Sequence, residues 1–184
     1  MILGDSDIQK ALKNGEIEIK PKPAPEQYTT SAVDLRLGDE FLELRPPVSG
    51  MEITIDAHSM DVRQLYAQYG HPLQKQPDGS VIIEPKKLIL AKTMEYVRLP
   101  QHIAARVEGR STLARIGLLV HLTAPTIHAG FRGRIVLELY NVGPYKIKLT
   151  PGMPICQLIF ELLASPGRMP TPATPYQDQS GIIQ

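Results

Sequence analysis

Cysteine, tryptophan and net charge are almost missing from this sequence. One residue of 184, Cys156, is a cysteine, so no internal disulfide can form and no site built on several thiolates is available. Inside the apolar run PICQLIF that thiol reads as a small buried hydrophobe rather than a nucleophile. The 20 Lys+Arg against 19 Asp+Glu leave a formal charge of +1, which gives no general pull toward nucleic acid or an anionic membrane. Any anion site must therefore be local. No run approaches the roughly 18 apolar residues of a membrane span, and MILGDSDIQKALKNG has acids and amides where a secretory signal carries an apolar core. A cytoplasmic protein is expected. The phosphate-binding P-loop, a GxGxxG after a strand and HExxH are all absent, which removes the main support for ATPase, dinucleotide-binding and zinc-protease readings. The five histidines (His58, His71, His102, His121 and His128) show no metal-type pairing, and neither an internal repeat nor a heptad pattern is present.

What is present fits one domain spanning 1–184, with a core over 1–164 and a tail over 165–184. An opening helix has Asp5 or Ser6 as cap, Ile8, Ala11 and Leu12 as its apolar stripe, and Gly15 as its stop. Residues 16–20 (EIEIK) alternate as a strand, and PKPAPEQ is an extended connector. SAVDLRLGDEFLELR reads as a hairpin turning at Gly38 and Asp39, with Asp34 and Arg36 on its polar face. MEITIDA is a short strand, followed by one helical turn and a loop rich in Pro, Gly and Asp. Regular strands then return as VIIEP, KLILAKTMEYVRLP, HIAARVEG, RIVLELY, YKIKLTP and PICQLIFELL, separated by Pro and Gly, as in an all-β sandwich or barrel. From Ser165 the chain has almost no aliphatic content until Ile182, so the tail is expected to be ordered only by what it touches.

The polar residues with chemical spacing lie between Arg106 and Asn141. Ser111 follows Gly109 and Arg110 as an expected helix cap, with Gly117 at the stop, and Arg115 falls one turn after Ser111. A hydroxyl and a guanidinium on one face beside a helix start make a plausible phosphate site. In RIVLELY the only carboxylate is Glu138, whose burial among apolar neighbours would favour the proton-carrying form needed by a general acid/base.

GRSTLARIGLLVHLTAP and GRIVLELYNVG, preceded by SAVDLRLGDEF and followed by PGMPICQLIFELL, resemble the dCTP deaminase branch of the trimeric dUTPase-like superfamily. The resemblance covers nearly the whole chain, including IQKALKNGEIEI and YQDQSG. It implies a mainly β fold, a distorted β-barrel or jelly-roll-like subunit with a short N-terminal helix and a flexible C-terminal tail. It also implies a homotrimer with active sites between subunits, and a deoxynucleoside triphosphate bound with Mg²⁺. Carried over, Glu138 matches the deaminase acid/base, while Ser111 and Arg115 match catalytic positions. Arg110, Ser111, Thr112, Arg115, Val136, Leu137, His128, Tyr176 and Gln179 match substrate-binding positions, Gln179 being the tail glutamine that closes over the nucleotide. Asp34 and Arg36 fall in a motif that supports the interface. The dUTPases of the superfamily have an apolar residue where Glu138 stands. This chain departs from the family at Pro125, Thr126 and His128, where His, Arg and a sugar-holding Asp are usual. The implied activity is conversion of dCTP to dUTP and ammonia, feeding dUMP and dTTP synthesis without zinc. Alternatives are a bifunctional deaminase and dUTPase, a pure dUTP pyrophosphatase, and a nucleotide-sensing trimer without activity.

Overall fold

The computed structural model describes residues 1–46, 52–167, 178 and 181–182. The chain runs α1 (Asp5–Lys13), β1 (Glu18–Lys20), β2 (Val33–Leu44), α2 (Val62–Tyr69), β3 (Gly70–Pro72), β4 (Val81–Ile83), β5 (Leu88–Arg98) and β6 (Ile103–Gly109). There follow α3 (Ser111–Ala114), β7 (Leu118–Leu119), β8 (Thr126–Ile127), β9 (Arg132–Asn141), β10 (Ile147–Leu149) and β11 (Pro154–Leu162). Among the described residues nine strands form one sheet in the order β7-β9-β5-β2-β11-β6-β8, with β1 added beside β5 and β3 beside β2, while β10 pairs with β4. The fold is mainly β, a sheet curled into a half-barrel with a helix at its start. Among the described residues no helix is long and apolar enough to cross a membrane.

Period-2 patterning explains the core. In β5, Ile89, Ala91, Val97 and the following Leu99 turn inward; in β9, Ile135, Leu137 and Leu139 do the same. The longest ladder joins these two strands, from Leu88↔Tyr140 to Arg98↔Arg132, with a register shift between Lys92 and Tyr96. Strand β11 lies between β2 and β6, and Ile155, Leu158 and Phe160 on it are fully buried, which accounts for its near-continuous apolar run. Helix α1 seats Ile8 and Ala11 on this core, leaving its acids in the first turn and lysines in the last, as the helix dipole favours.

Several sequence expectations are corrected. Residues 33–44 are one strand and not a hairpin: Gly38 lies within β2, where a Cβ would stand 2.8 Å from the Lys92 carbonyl oxygen. The glycine permits close strand approach at a bulge rather than a turn, because β5 pairs with both halves of β2. MEITIDA forms no strand over its described residues 52–57; without a pairing partner its alternating pattern has no ladder to join. The first helix is capped by Gly4 rather than Asp5 or Ser6, and the PKPAPEQ connector contains a 3-10 turn at Pro25–Gln27. Within the tail, Ile182 is buried and its N–H donates to Glu40 Oε1 at 3.1 Å, while the Asp178 carboxylate pairs with Arg132. Tyr176 and Gln179 lie outside the described residues.

Candidate functional site

Helix α3 is a single turn placed between two strands by backbone bonds. The Arg110 carbonyl accepts from Leu113 N at 3.0 Å and Ala114 N at 2.9 Å, and Arg115 N donates to the Ser111 carbonyl at 3.1 Å. Arg110, not Ser111, occupies the cap position, because its backbone is still extended while its side chain turns inward. With only one turn, the helix dipole contributes little, so anion attraction here falls to Arg110, Arg115 and the Ser111 hydroxyl. Ser111, Thr112 and Arg115 are exposed. Gly117, at φ +90°, ends the turn and passes the chain into β7.

Strand β7 pairs with the end of β9 through Leu118↔Asn141 and Leu119↔Tyr140. The chain after β7 then returns toward Glu138, whose Oε2 accepts from Leu122 N at 3.4 Å. Glu138 is half-buried on the face of β9 opposite the core, in line with Val136 and Tyr140. Leu137 points the other way, 1% exposed, so only its backbone is available to a ligand. Pro72, Leu42, Leu90 and Glu138 form one row across β3, β2, β5 and β9. This row brings α2 toward the site: Tyr66 is the buried residue of that helix, and burial, then the Glu138 charge, push its phenol above the usual range. The sequence reading missed Tyr66 because α2 is separated from Glu138 by more than a third of the chain.

Other expected residues lie apart. Among the described residues no hydrogen bond or ion pair joins Glu138 to Ser111 or Arg115. His128 is exposed after β8, its carbonyl accepting from Phe131 N at 3.1 Å. His121 has a buried Nδ1 with no partner among the described residues.

Beneath α3 is a polar network of which the sequence reading named three members, Asp34, Arg36 and Arg110, but not their contacts. Arg110 Nη1 pairs with Asp34 Oδ2, and Gln157 Nε2 donates to Asp34 Oδ1 at 3.0 Å. Glu95, wholly buried, accepts from Arg36 Nε at 2.7 Å and from Arg36 N at 2.8 Å. Gln27 Nε2 donates to the Asp34 carbonyl at 2.7 Å and reaches Glu95 at 3.5 Å. Asp34 and Arg36 are therefore not solvated strand charges. Glu95 had a readable signal: Thr93 and Glu95 fall in phase with the buried Ile89, Ala91 and Val97. Asn141, also buried, donates to the carbonyls of Ile83 and Tyr145 and accepts from Gly143 N, fixing the turn that follows β9.

This combination of a GRSTLAR turn, a lone carboxylate on β9 and an NVG turn has a family counterpart. The sequence profile of the dCTP deaminase-like family matches residues 2–163. The chain belongs to the dCTP deaminase-like family. It is 39% identical to the dCTP deaminase of Rhodospirillum rubrum over 183 residues, 97% of this chain and 93% of that one. It is 40% identical over 173 residues to the dUMP-forming dCTP deaminase of Methanosphaera stadtmanae, covering 92% of this chain and 83% of the relative. In fold it is similar to the crystal structure of 2′-deoxycytidine 5′-triphosphate deaminase from Agrobacterium tumefaciens, with a TM-score of 0.65 and 19% identity. That match covers 88% of this chain and 48% of the other, so this family member spans about half the length of that chain.

The magnesium implied by the resemblance can be tested against the donor groups. Among the described residues no group of three or more His, Cys, Asp or Glu is placed to hold a metal. Arg110, Ser111 and Arg115 suit phosphate oxygens, and the Asp34 carboxylate is already engaged by Arg110 and Gln157. The residues fit an Mg²⁺ carried on substrate phosphates, which is how that ion commonly enters nucleotide sites.

Proposed function

We propose that this protein deaminates dCTP hydrolytically to dUTP and ammonia, with Glu138 as the proton shuttle. The observation carrying this reading is the position of Glu138, a half-buried carboxylate on the outer face of β9 with Leu122 N against one oxygen. Water adds to C4 of the pyrimidine as its proton passes to Glu138. That proton goes to N3, a second proton from the added hydroxyl passes through the carboxylate to the exocyclic amine, and ammonia leaves as the C4 carbonyl forms. Glu138 ends ionised, ready for another turnover. Arg110, Ser111, Thr112 and Arg115 hold the triphosphate; Val136, the Leu137 backbone and His128 face the nucleoside; Tyr176 and Gln179 close over it. Mg²⁺ neutralises phosphate charge when bound.

The exposed Ser111 and Arg115, without a bond to Glu138 in their own subunit, support a homotrimer in which one subunit supplies the turn and its neighbour the carboxylate. The domain reading of a core over 1–164 with a closing tail belongs to the same proposal. Incubation with dCTP and with dUTP, each with Mg²⁺, and separate assay of ammonia and pyrophosphate tests it. Ammonia from dCTP is expected; its absence refutes deamination.

A second reading is favoured by the name of the Methanosphaera stadtmanae relative, a dUMP-forming dCTP deaminase. Onward hydrolysis to dUMP would release pyrophosphate in step with ammonia. Pyrophosphate from dUTP alone would mark a pure pyrophosphatase, and neither product a nucleotide-sensing trimer.

A further inference from the structure

Arg110 faces two ways. Its backbone carbonyl holds the first turn of α3, while its guanidinium turns under that turn to Asp34, whose side chain is only 10% exposed. An arginine has five N–H donors in a rigid fork, so one arm on a buried carboxylate fixes where the others point. Asp34 is itself fixed from three sides. Gln157 holds Oδ1, Gln27 holds the backbone carbonyl, and Arg110 takes Oδ2.

The strand register explains why these groups meet. Gln157 pairs with Asp34 on β2 and with Glu108 on β6, which places Asp34 two strands away from the end of β6, directly before Arg110. The second buried acid, Glu95, anchors Arg36 and meets the same Gln27 amide. A buried ion pair adds little net stability after its desolvation cost; its clear effect here is geometric.

We infer that Asp34 is a positioning residue that aims the Arg110 guanidinium, and with it the α3 turn, at the substrate triphosphate. This assignment rests on the proposed reading of α3 as the phosphate site. Preset aim removes part of the ordering cost of binding, so its loss raises KM more than it lowers kcat.

The test compares Asp34→Asn, Arg110→Lys and the double variant in the full-length protein. Readouts are dCTP kinetics with Mg²⁺, calorimetric binding of inorganic tripolyphosphate, and thermal unfolding. Asp34→Asn should weaken tripolyphosphate binding and raise KM by about 10- to 100-fold, as loss of an orienting partner does elsewhere. Because Asp34 acts through Arg110, the double variant should be no weaker than Arg110→Lys alone. Additive losses, or lowered thermal stability with unchanged KM and tripolyphosphate affinity, would overturn the assignment. If Asp34→Asn fails to fold, Gln157→Leu removes only the donor to Oδ1 and should raise KM in the same direction; no change in that folded variant also overturns it. A wild type that binds tripolyphosphate but releases no ammonia refutes the deaminase reading alone, and Asp34 is then judged by tripolyphosphate binding. A wild type that binds neither overturns both.

Discussion

Gly117 and Gly143 pack backbone to backbone: a Cβ on Gly117 would stand 2.5 Å from the Gly143 nitrogen, and one on Gly143 2.6 Å from the Ile116 carbonyl oxygen. The Val142 N–H donates to the Gly117 carbonyl at 2.9 Å across the same junction. The end of the α3 turn is thereby tied to the turn after β9, which joins the residues proposed to hold phosphate to the strand of Glu138.

Gly143→Ala should therefore push the two turns apart. Overpacking of this kind costs about 1 to 3 kcal/mol, because the opposing atoms are backbone and cannot swing away. Gly109→Ala is the control, since its Cβ meets only Val120 Cγ2 at an ordinary 3.7 Å. Chemical denaturation of both variants checks this; equal stabilities would mean the junction yields freely.

Glu138→Gln retains size and one hydrogen-bond acceptor for Leu122 N but cannot carry the proton. Turnover on dCTP should fall by about 10² to 10⁴ while nucleotide binding persists. Wild-type rates of ammonia release in this variant would remove Glu138 from the chemistry.

Arg115→Lys keeps the charge and loses the fork that grips two oxygens at once. Since Arg115 is exposed, the protein should fold as before. Nucleotide affinity or turnover should drop, measured over several dCTP concentrations. Unchanged kinetics would return Arg115 to the role of a surface charge.

Cys156 is fully buried, and desolvation, followed by the Glu95 charge, pushes its thiol far above the ordinary range; Arg110 opposes this in part. Below about pH 8.5 the thiol is protonated in folded and unfolded chains alike, so it adds no pH dependence. Above that value the unfolded chain releases the proton and the folded one keeps it, so stability falls as pH rises toward the folded pKa. Urea midpoints between pH 8 and 10 should decline more steeply for wild type than for Cys156→Ala. Iodoacetamide should label Cys156 only in the unfolded protein, and rapid labelling of the native state would contradict this burial.

Strands β5, β6 and β9 are legible because their apolar alternation is itself the burial pattern, and β11 because its near-continuous apolar run matches a strand enclosed between β2 and β6. The pairing of Ser111 with Arg115 is legible because one helical turn separates them, whereas their relation to Glu138 is not, since no bond joins them among the described residues. The 31–45 segment misled for a local reason. A Gly-Asp pair in an alternating run has the chemistry of a turn, and only the approach of Lys92 shows that Gly38 clears space within a strand. MEITIDA likewise alternates, yet a strand needs a neighbour to take its hydrogen bonds.

The sequence by itself determined the mainly β class, the opening helix, the family and the residues with chemical potential, since each depends on neighbours within a few positions or on a motif. Tertiary structure alone decided that Asp34 turns inward to Arg110, that Gln157 holds it from 123 residues away, and that Glu95 is buried against Arg36. Partner choice for a charged side chain depends on which strands lie side by side, and a buried carboxylate is tolerated only where distant segments bring donors to it.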